Sequence, residues 1–238
     1  MKKTMKFITL LLLIILFVVS LTGCSTTETA TGKKTSTTKT GEQGNNIVEN
    51  KEKNVQIEAI GLTENGDFAF KVTNNNSEPV YIESVNTIFK DANGNFAKKV
   101  ESEIQFFTVD KNSEVVNYAW GFDEDFSKYS NYEFEVEFAE NYMKKNFLTD
   151  NFEVVANNTG KQIAVSVKNN NTVDVKTIEV IVAYYKNGNI VGCQLGYSDT
   201  TVGKEKTAYL NVEYPQDSKY NNVSFDTYTT YLLQASKY

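Results

Sequence analysis

The sequence predicts an all-β chain of two tandem β-sandwich domains, and three observations predict it. Apolar residues alternate with polar ones at a period of two through much of residues 54–238. A set of segments in the first half recurs in the same order in the second. Asn-Gly pairs stand between alternating runs in both halves. Alternation at period two puts successive side chains on opposite faces, one buried and one wet. Asn-Gly favours a two-residue hairpin turn because both central residues need positive φ.

The elements follow in order. Phe68, Phe70 and Val72 alternate with Ala69 and Lys71, and Ile163, Val165 and Val167 alternate with Ala164 and Ser166. Phe134, Val136 and Phe138 alternate with Glu133, Glu135 and Glu137. Asn93-Gly94 and Asn187-Gly188 are expected as type I′ hairpins, and residues 74–77 and 169–172 as polar loops. Helix is expected to be scarce, with a short helix or turn at 123–129 and another at 140–146. The only prolines, Pro79 and Pro215, interrupt no long alternating run.

The duplication rests on four matches. Residues 70–76 (FKVTNNN) match 165–171 (VSVKNNN), and 89–95 (FKDANGN) match 184–189 (YYKNGN) with one deletion. Residues 109–111 (VDK) match 202–204 (VGK), and 127–134 (SKYSNYEF) match 218–225 (SKYNNVSF). The offset falls only from 95 to 91 along the pair. Four matches in one order point to repeated domains at 54–141 and 148–238, each the size of a small sandwich module.

Ahead of them lies a different kind of segment. Lys2, Lys3 and Lys6 precede an apolar run from residue 7 to 19, broken only by Thr9, and Leu21-Thr22-Gly23-Cys24 follows. The run is shorter than the ~20 residues a membrane-spanning helix needs. The arrangement resembles the lipobox of bacterial lipoprotein signal peptides. That resemblance implies cleavage before Cys24, a diacylglyceryl group on its thiol, and a protein held on the outer face of the cell membrane by its lipid. A plain membrane anchor and a fully released secretory peptide are the competing readings of residues 1–23. Residues 24–53 are rich in Thr, Ser, Gly, Lys and Glu and read as a flexible, disordered linker.

The repeats carry a second resemblance. Val72, Asn74 and Asn76, then Phe89, Asp91 and Gly94, are similar to the bacterial FxLYD-type and related immunoglobulin-like lipoprotein modules. The second copy keeps Val167, Asn169, Asn171, Tyr184 and Gly188 but has Lys186 where the first has Asp91. The resemblance implies immunoglobulin-like β-sandwiches outside the cell and no defined activity.

Composition narrows the chemistry. Without the three leader lysines, 21 basic residues face 30 acidic ones, a net charge of −9. Such a surface disfavours nucleic acid. Every basic residue is Lys, and there is no Arg or His. The chain thus lacks the commonest general base and metal ligand, and the usual bidentate clamp for phosphate. Cys193 is the one other cysteine, so no disulfide framework exists. It reads as a small core residue.

No catalytic residue, cofactor or metal site is assigned. Asp91-x-Asn93-x-Asn95 has the spacing of an opening calcium loop, but Phe96 replaces the Gly such a loop needs, and a hairpin turn is the better reading. Asp123-Glu124-Asp125 is read as a solvated acidic loop. Glu133, Glu135 and Glu137 share the outward face of one strand and make no sugar cleft. The binding surface expected instead is aromatic: Trp120, Tyr184, Tyr185, Tyr228 and Tyr231, on the ground that paired tyrosines on strands cannot all face inward. The expected function is a lipid-anchored, non-catalytic module binding a protein or a cell-wall glycan. The alternative is an accessory or regulatory subunit of an envelope complex.

Overall fold

The structure is a computed structural model and describes residues 33–34, 54–121, 124–129, 131–139, 146–148 and 150–237. Among the described residues the regular elements are β-strands and one 3₁₀ turn. In chain order the strands are β1 (Lys33–Lys34), β2 (Val55–Leu62), β3 (Phe68–Asn74), β4 (Val80–Lys90), β5 (Phe96–Glu101), β6 (Phe107–Val109), β7 (Ser113–Ala119) and β8 (Asn131–Phe138). They continue with β9 (Phe152–Asn158), β10 (Ile163–Asn169), β11 (Val175–Lys186), β12 (Asn189–Ser198), β13 (Thr207–Val212) and β14 (Thr227–Lys237). Among the described residues no helix is long and apolar enough to cross a membrane.

The fold is the all-β sandwich architecture expected. In the first sandwich, β3 lies between β2 and β7, and β4 lies between β8 and β5 with β6 also on it, all antiparallel. The second repeats this pattern, with β10 between β9 and β13 and β11 between β12 and β14. β1 pairs with β8 in parallel.

The hairpins divide. Asn187 and Gly188 have φ of 52° and 80°, the two positive values a type I′ turn requires. At the first hairpin only Gly94 is positive, at 81°. Gly94 N–H donates to Asp91 O at 3.0 Å, and the Asp91 carboxylate accepts from the backbone of Asn93 and Asn95 at 2.9 and 2.8 Å. One extra residue turns the expected type I′ turn into a three-residue loop closed by a left-handed glycine.

The loops read as merely polar carry a buried device. Asn74 and Asn169 are fully buried. Asn74 Nδ2 donates to the carbonyls of Glu78, Val109 and Asp110 at 2.8, 3.0 and 3.0 Å. Asn169 Nδ2 does the same to Val173, Val202 and Gly203 at 2.9, 3.1 and 3.4 Å. Each pins the corner where the chain changes sheets by donating to carbonyls of the segments that meet there.

Two cores result. One, built on Ile163, Val165, Val180, Val182 and Tyr184, fills the second sandwich. The other fills the first with Phe70, Phe89 and Phe107 and extends to Ile181, Ala183, Cys193 and Leu233 of the second. Thr108 Oγ1 donates to Leu233 O at 3.1 Å, and Glu64 N–H to Val191 O at 3.1 Å. The middle of β11 is therefore buried on both faces, one by its own sandwich and one by its neighbour. This accounts for the apolar run from Val180 to Tyr184, which shows no clean alternation.

Candidate functional site

The two sandwiches differ where the last two strands of each are joined, by residues 120–130 in the first and 213–226 in the second. Register fixes the equivalences. Phe68 pairs with Ala119 and Ile163 with Val212, so Tyr214 stands where the first sandwich has Gly121. Phe89 pairs with Tyr132 and Tyr184 with Tyr228, so Tyr228 is the counterpart of Tyr132. The match of 127–134 to 218–225 thus aligns turns and not strands: β14 starts at Thr227, after the matched segment has ended.

The first sandwich is sealed at this end. Gly121 N–H donates to the buried Asp67 carboxylate at 2.9 Å, and a Cβ at Gly121 would collide with Gly66 O. Phe126 and Tyr129 stack on Phe89, with ring centroids 4.6 and 5.0 Å away. The 3₁₀ turn Phe126–Lys128 that carries Phe126 is capped by Asp125, whose side chain accepts from Ser127 N. Glu124 ties the turn down through Lys98 and Lys128.

In the second sandwich the same connection stands open. Asp217 accepts from the backbone of Lys219 and Asn221 at 2.8 and 2.9 Å, and these bonds hold its carboxyl below the usual range. Gln216 bridges to Asn222. Tyr220 sits in this turn with φ of 62°, its side chain 72% exposed. Phe225 takes the place of Phe126 here, but it meets Tyr184 edge to face and stays half-buried, where Phe126 lies flat on Phe89 and is buried. A cleft of about 740 Å³ opens beside this connection, within the roughly 300–1,000 Å³ of small-molecule sites.

Its apolar wall is Tyr214, Phe225 and Tyr228, all half-buried. Phe225 meets Tyr214 edge to face at 5.2 Å and Tyr228 at 6.3 Å, and backs on the buried Tyr184 at 4.8 Å. Hydrogen bonds fix the tyrosines. Tyr214 Oη donates to Asn158 Oδ1 at 2.6 Å, Tyr228 Oη to Ala156 O at 3.2 Å, and Tyr184 Oη to Glu213 O at 2.7 Å. The polar side is Asn158, Asn222, Ser224 and Asp226. Asp226 Oδ2 accepts from Asn187 N at 2.8 Å, and Lys186 Nζ donates to Ser224 Oγ at 2.6 Å, which ties the β11–β12 hairpin to the cleft.

The expected aromatic surface is not one surface. Trp120 is 55% exposed, in the first sandwich. Tyr184 is fully buried and presents nothing to a partner. Tyr185 and Tyr231 are half-buried against the core shared with the first sandwich, and Tyr228 against that of the second. The premise failed because both faces of β11 are covered: Tyr184 points into one core and Tyr185 toward the other. Of the five, only Tyr228 lines the cleft. Tyr214, Phe225, Asn222 and Asp226 were missed because their segment lacks strand alternation, and Asn158 because it is a polar residue at the end of β9. The one signal was an aromatic- and Asn-rich stretch without periodicity.

The remaining candidates have structural partners. Glu133 and Glu135 pair with Lys90 and Lys99 at 2.6 and 2.9 Å, and Glu137 accepts from Asn86 at 3.4 Å. Cys193 is a free, buried thiol pushed up in pKa by burial. Cys24, Asp123 and residues 140–145 lie outside the described residues. Among the described residues no three His, Cys, Asp or Glu side chains converge as a metal site.

No family model matches this chain, and no curated protein matches it. A solved structure of red sea bream transglutaminase is similar over 68% of this chain at 11% identity, with a TM-score of 0.21. The chain spans 26% of that protein. That likeness is too low to bear on fold or activity.

Proposed function

We propose that this chain is a lipoprotein of the FxLYD-like, immunoglobulin-like type, tethered through Cys24 to the outer face of the cell membrane. It acts as a non-catalytic module that binds a protein or a cell-wall glycan, and it does not engage nucleic acid. The observation that carries this reading is the cleft of the second sandwich. Half-buried rings, two of them tyrosines held by hydrogen bonds, stand beside short polar side chains, at the end that the first sandwich seals with Phe126 and Tyr129. Among the described residues Asp226 is the one carboxylate lining the cleft, whereas glycoside hydrolysis in its usual form needs a flanking pair.

The alternative, an accessory subunit of an envelope complex, draws on a second groove of about 360 Å³ where the sandwiches meet. Thr108 and Glu114 line it from one side and Leu148, Phe152 and Tyr231 from the other.

The test is capture by the full-length protein in detergent, against purified peptidoglycan and solubilised envelope proteins. Retention of glycan, or of one envelope protein, that is lost on Tyr214→Ala supports the module. Capture lost on a junction substitution such as Glu114→Lys favours the accessory subunit. Recovery of nothing overturns both. Cys24→Ala is expected to release the protein from the membrane fraction and abolish the acyl mass on its amino-terminal peptide.

A further inference from the structure

We infer that the cleft of the second sandwich takes a neutral saccharide, seated with the C–H face of a sugar ring on Phe225 and its flanking tyrosines. The inference deepens the proposal above and rests on reading this cleft as a binding site.

The wall comes first. Tyr214, Phe225 and Tyr228 each leave part of a ring exposed, and edge-to-face contacts and phenol hydrogen bonds hold the three in place. Ordered rings spend little conformational entropy on binding. Their π faces carry partial negative charge and attract the polarised C–H groups of a pyranose.

The polar side fits hydroxyls. Asn158 Oδ1 accepts from Gly160 N at 2.8 Å and from Tyr214 Oη, which leaves its amide NH₂ to donate to a ligand. Asn222 and Thr227 add a second amide and a hydroxyl to the lining. Asp226 keeps its Oδ1 for a sugar hydroxyl while Oδ2 serves Asn187. Short amide, hydroxyl and carboxylate groups are what vicinal hydroxyls pair with.

Charge disfavours a polyanionic occupant. Asp226 is the charged residue in the lining, and Lys186, which reaches Ser224, is the cation beside it. The local balance is near neutral. A polyphosphate or other polyanion requires several cations.

The first sandwich supports the same assignment from inside the molecule. There, aromatic rings occupy the equivalent end and stack flat on Phe89. In the second sandwich Phe225 covers Tyr184 edge to face and is only half-buried, so its outer side is left for a ligand ring.

The experiment is isothermal titration of the full-length protein in detergent with two probes, chitotetraose and cellotetraose, at low and high ionic strength. The inference expects saturable binding of at least one probe, independent of salt. Binding of chitotetraose alone would point to N-acetylated amino sugars as the source, and binding of both to any neutral glycan. Asn158→Ala and Asn222→Ala should each weaken binding roughly fivefold, the loss of one hydrogen bond. Tyr209→Ala, on an exposed strand face outside the cleft, should leave it unchanged. No binding of either probe, or binding indifferent to both Asn variants, overturns the inference. If an envelope protein is still captured in a Tyr214-dependent way, the binding-module reading survives without the saccharide. If nothing is captured, both fall.

Discussion

The phenol of Tyr214 donates to Asn158 Oδ1 at 2.6 Å, joining two residues 56 positions apart in the chain. The same oxygen accepts from Gly160 N, so one amide orders both the turn after β9 and a wall of the cleft. Tyr214→Phe is expected to keep the ring and lose the bond. The stability cost should be small, about 0.5–1 kcal/mol, because the pair is exposed to water. Urea denaturation measures that cost. If the cleft is as described, its ligand affinity falls more visibly than its stability.

Asn74 and Asn169 lead to a larger effect. Each amide serves three carbonyls from a fully buried position. Asn169→Ala is expected to destabilise by about 2–4 kcal/mol, because buried acceptors lose their donor. Asn74→Ala should cost a similar amount. A shift of the urea midpoint without a change in slope is the result to look for.

The core shared by the two sandwiches predicts cooperative unfolding. Leu233, although in β14, packs in the core of the first sandwich. Leu233→Ala should cost about 2–5 kcal/mol and lower the transition seen by Trp120 fluorescence and that seen by far-ultraviolet circular dichroism together. Two separated transitions would mean that the sandwiches are independent. Cys193 reports on the same interface. Its thiol is buried and its pKa is pushed up, so alkylation mapped by mass spectrometry should reach it only at denaturant concentrations where both probes report unfolding.

Glu124 supplies a pH dependence. Lys128, then Lys98, hold its carboxyl down to about 2 from an ordinary 4.5. A depressed carboxyl contributes its stabilisation fully above the unfolded pKa and loses it as pH falls toward the folded one. The contribution should therefore fade between pH 4.5 and about 2. Glu124→Gln should flatten that part of the stability profile and loosen the plug of the first sandwich. Asp67 acts in the opposite sense. Burial raises its pKa, so its contribution declines as pH rises through the folded value.

Much of the fold was legible because half-exposed strands advertise themselves. Phe68, Phe70 and Val72, and likewise Ile163, Val165 and Val167, face inward as their alternation implies. The Asn187-Gly188 turn was legible from its positive φ requirement. The buried roles of Asn74 and Asn169 were not, because a short polar residue reads the same in a solvated loop and at a pinned corner. Nor was the fate of Tyr184 and Tyr185. Their exposure depends on a second layer covering β11, which periodicity within one strand does not encode. The cleft escaped for a related reason. The Asp-Ser-Lys-Tyr turn chemistry of residues 217–220 resembles that of the sealed end, while the register of the following strand differs.

The most direct test is a backbone amide NMR titration of the full-length protein in detergent with chitotetraose and cellotetraose. The account predicts saturable shifts confined to residues around Asn158, Tyr214 and 222–228, with residues around Phe126 and Tyr129 unmoved. Shifts centred elsewhere, or none with either saccharide, would contradict it.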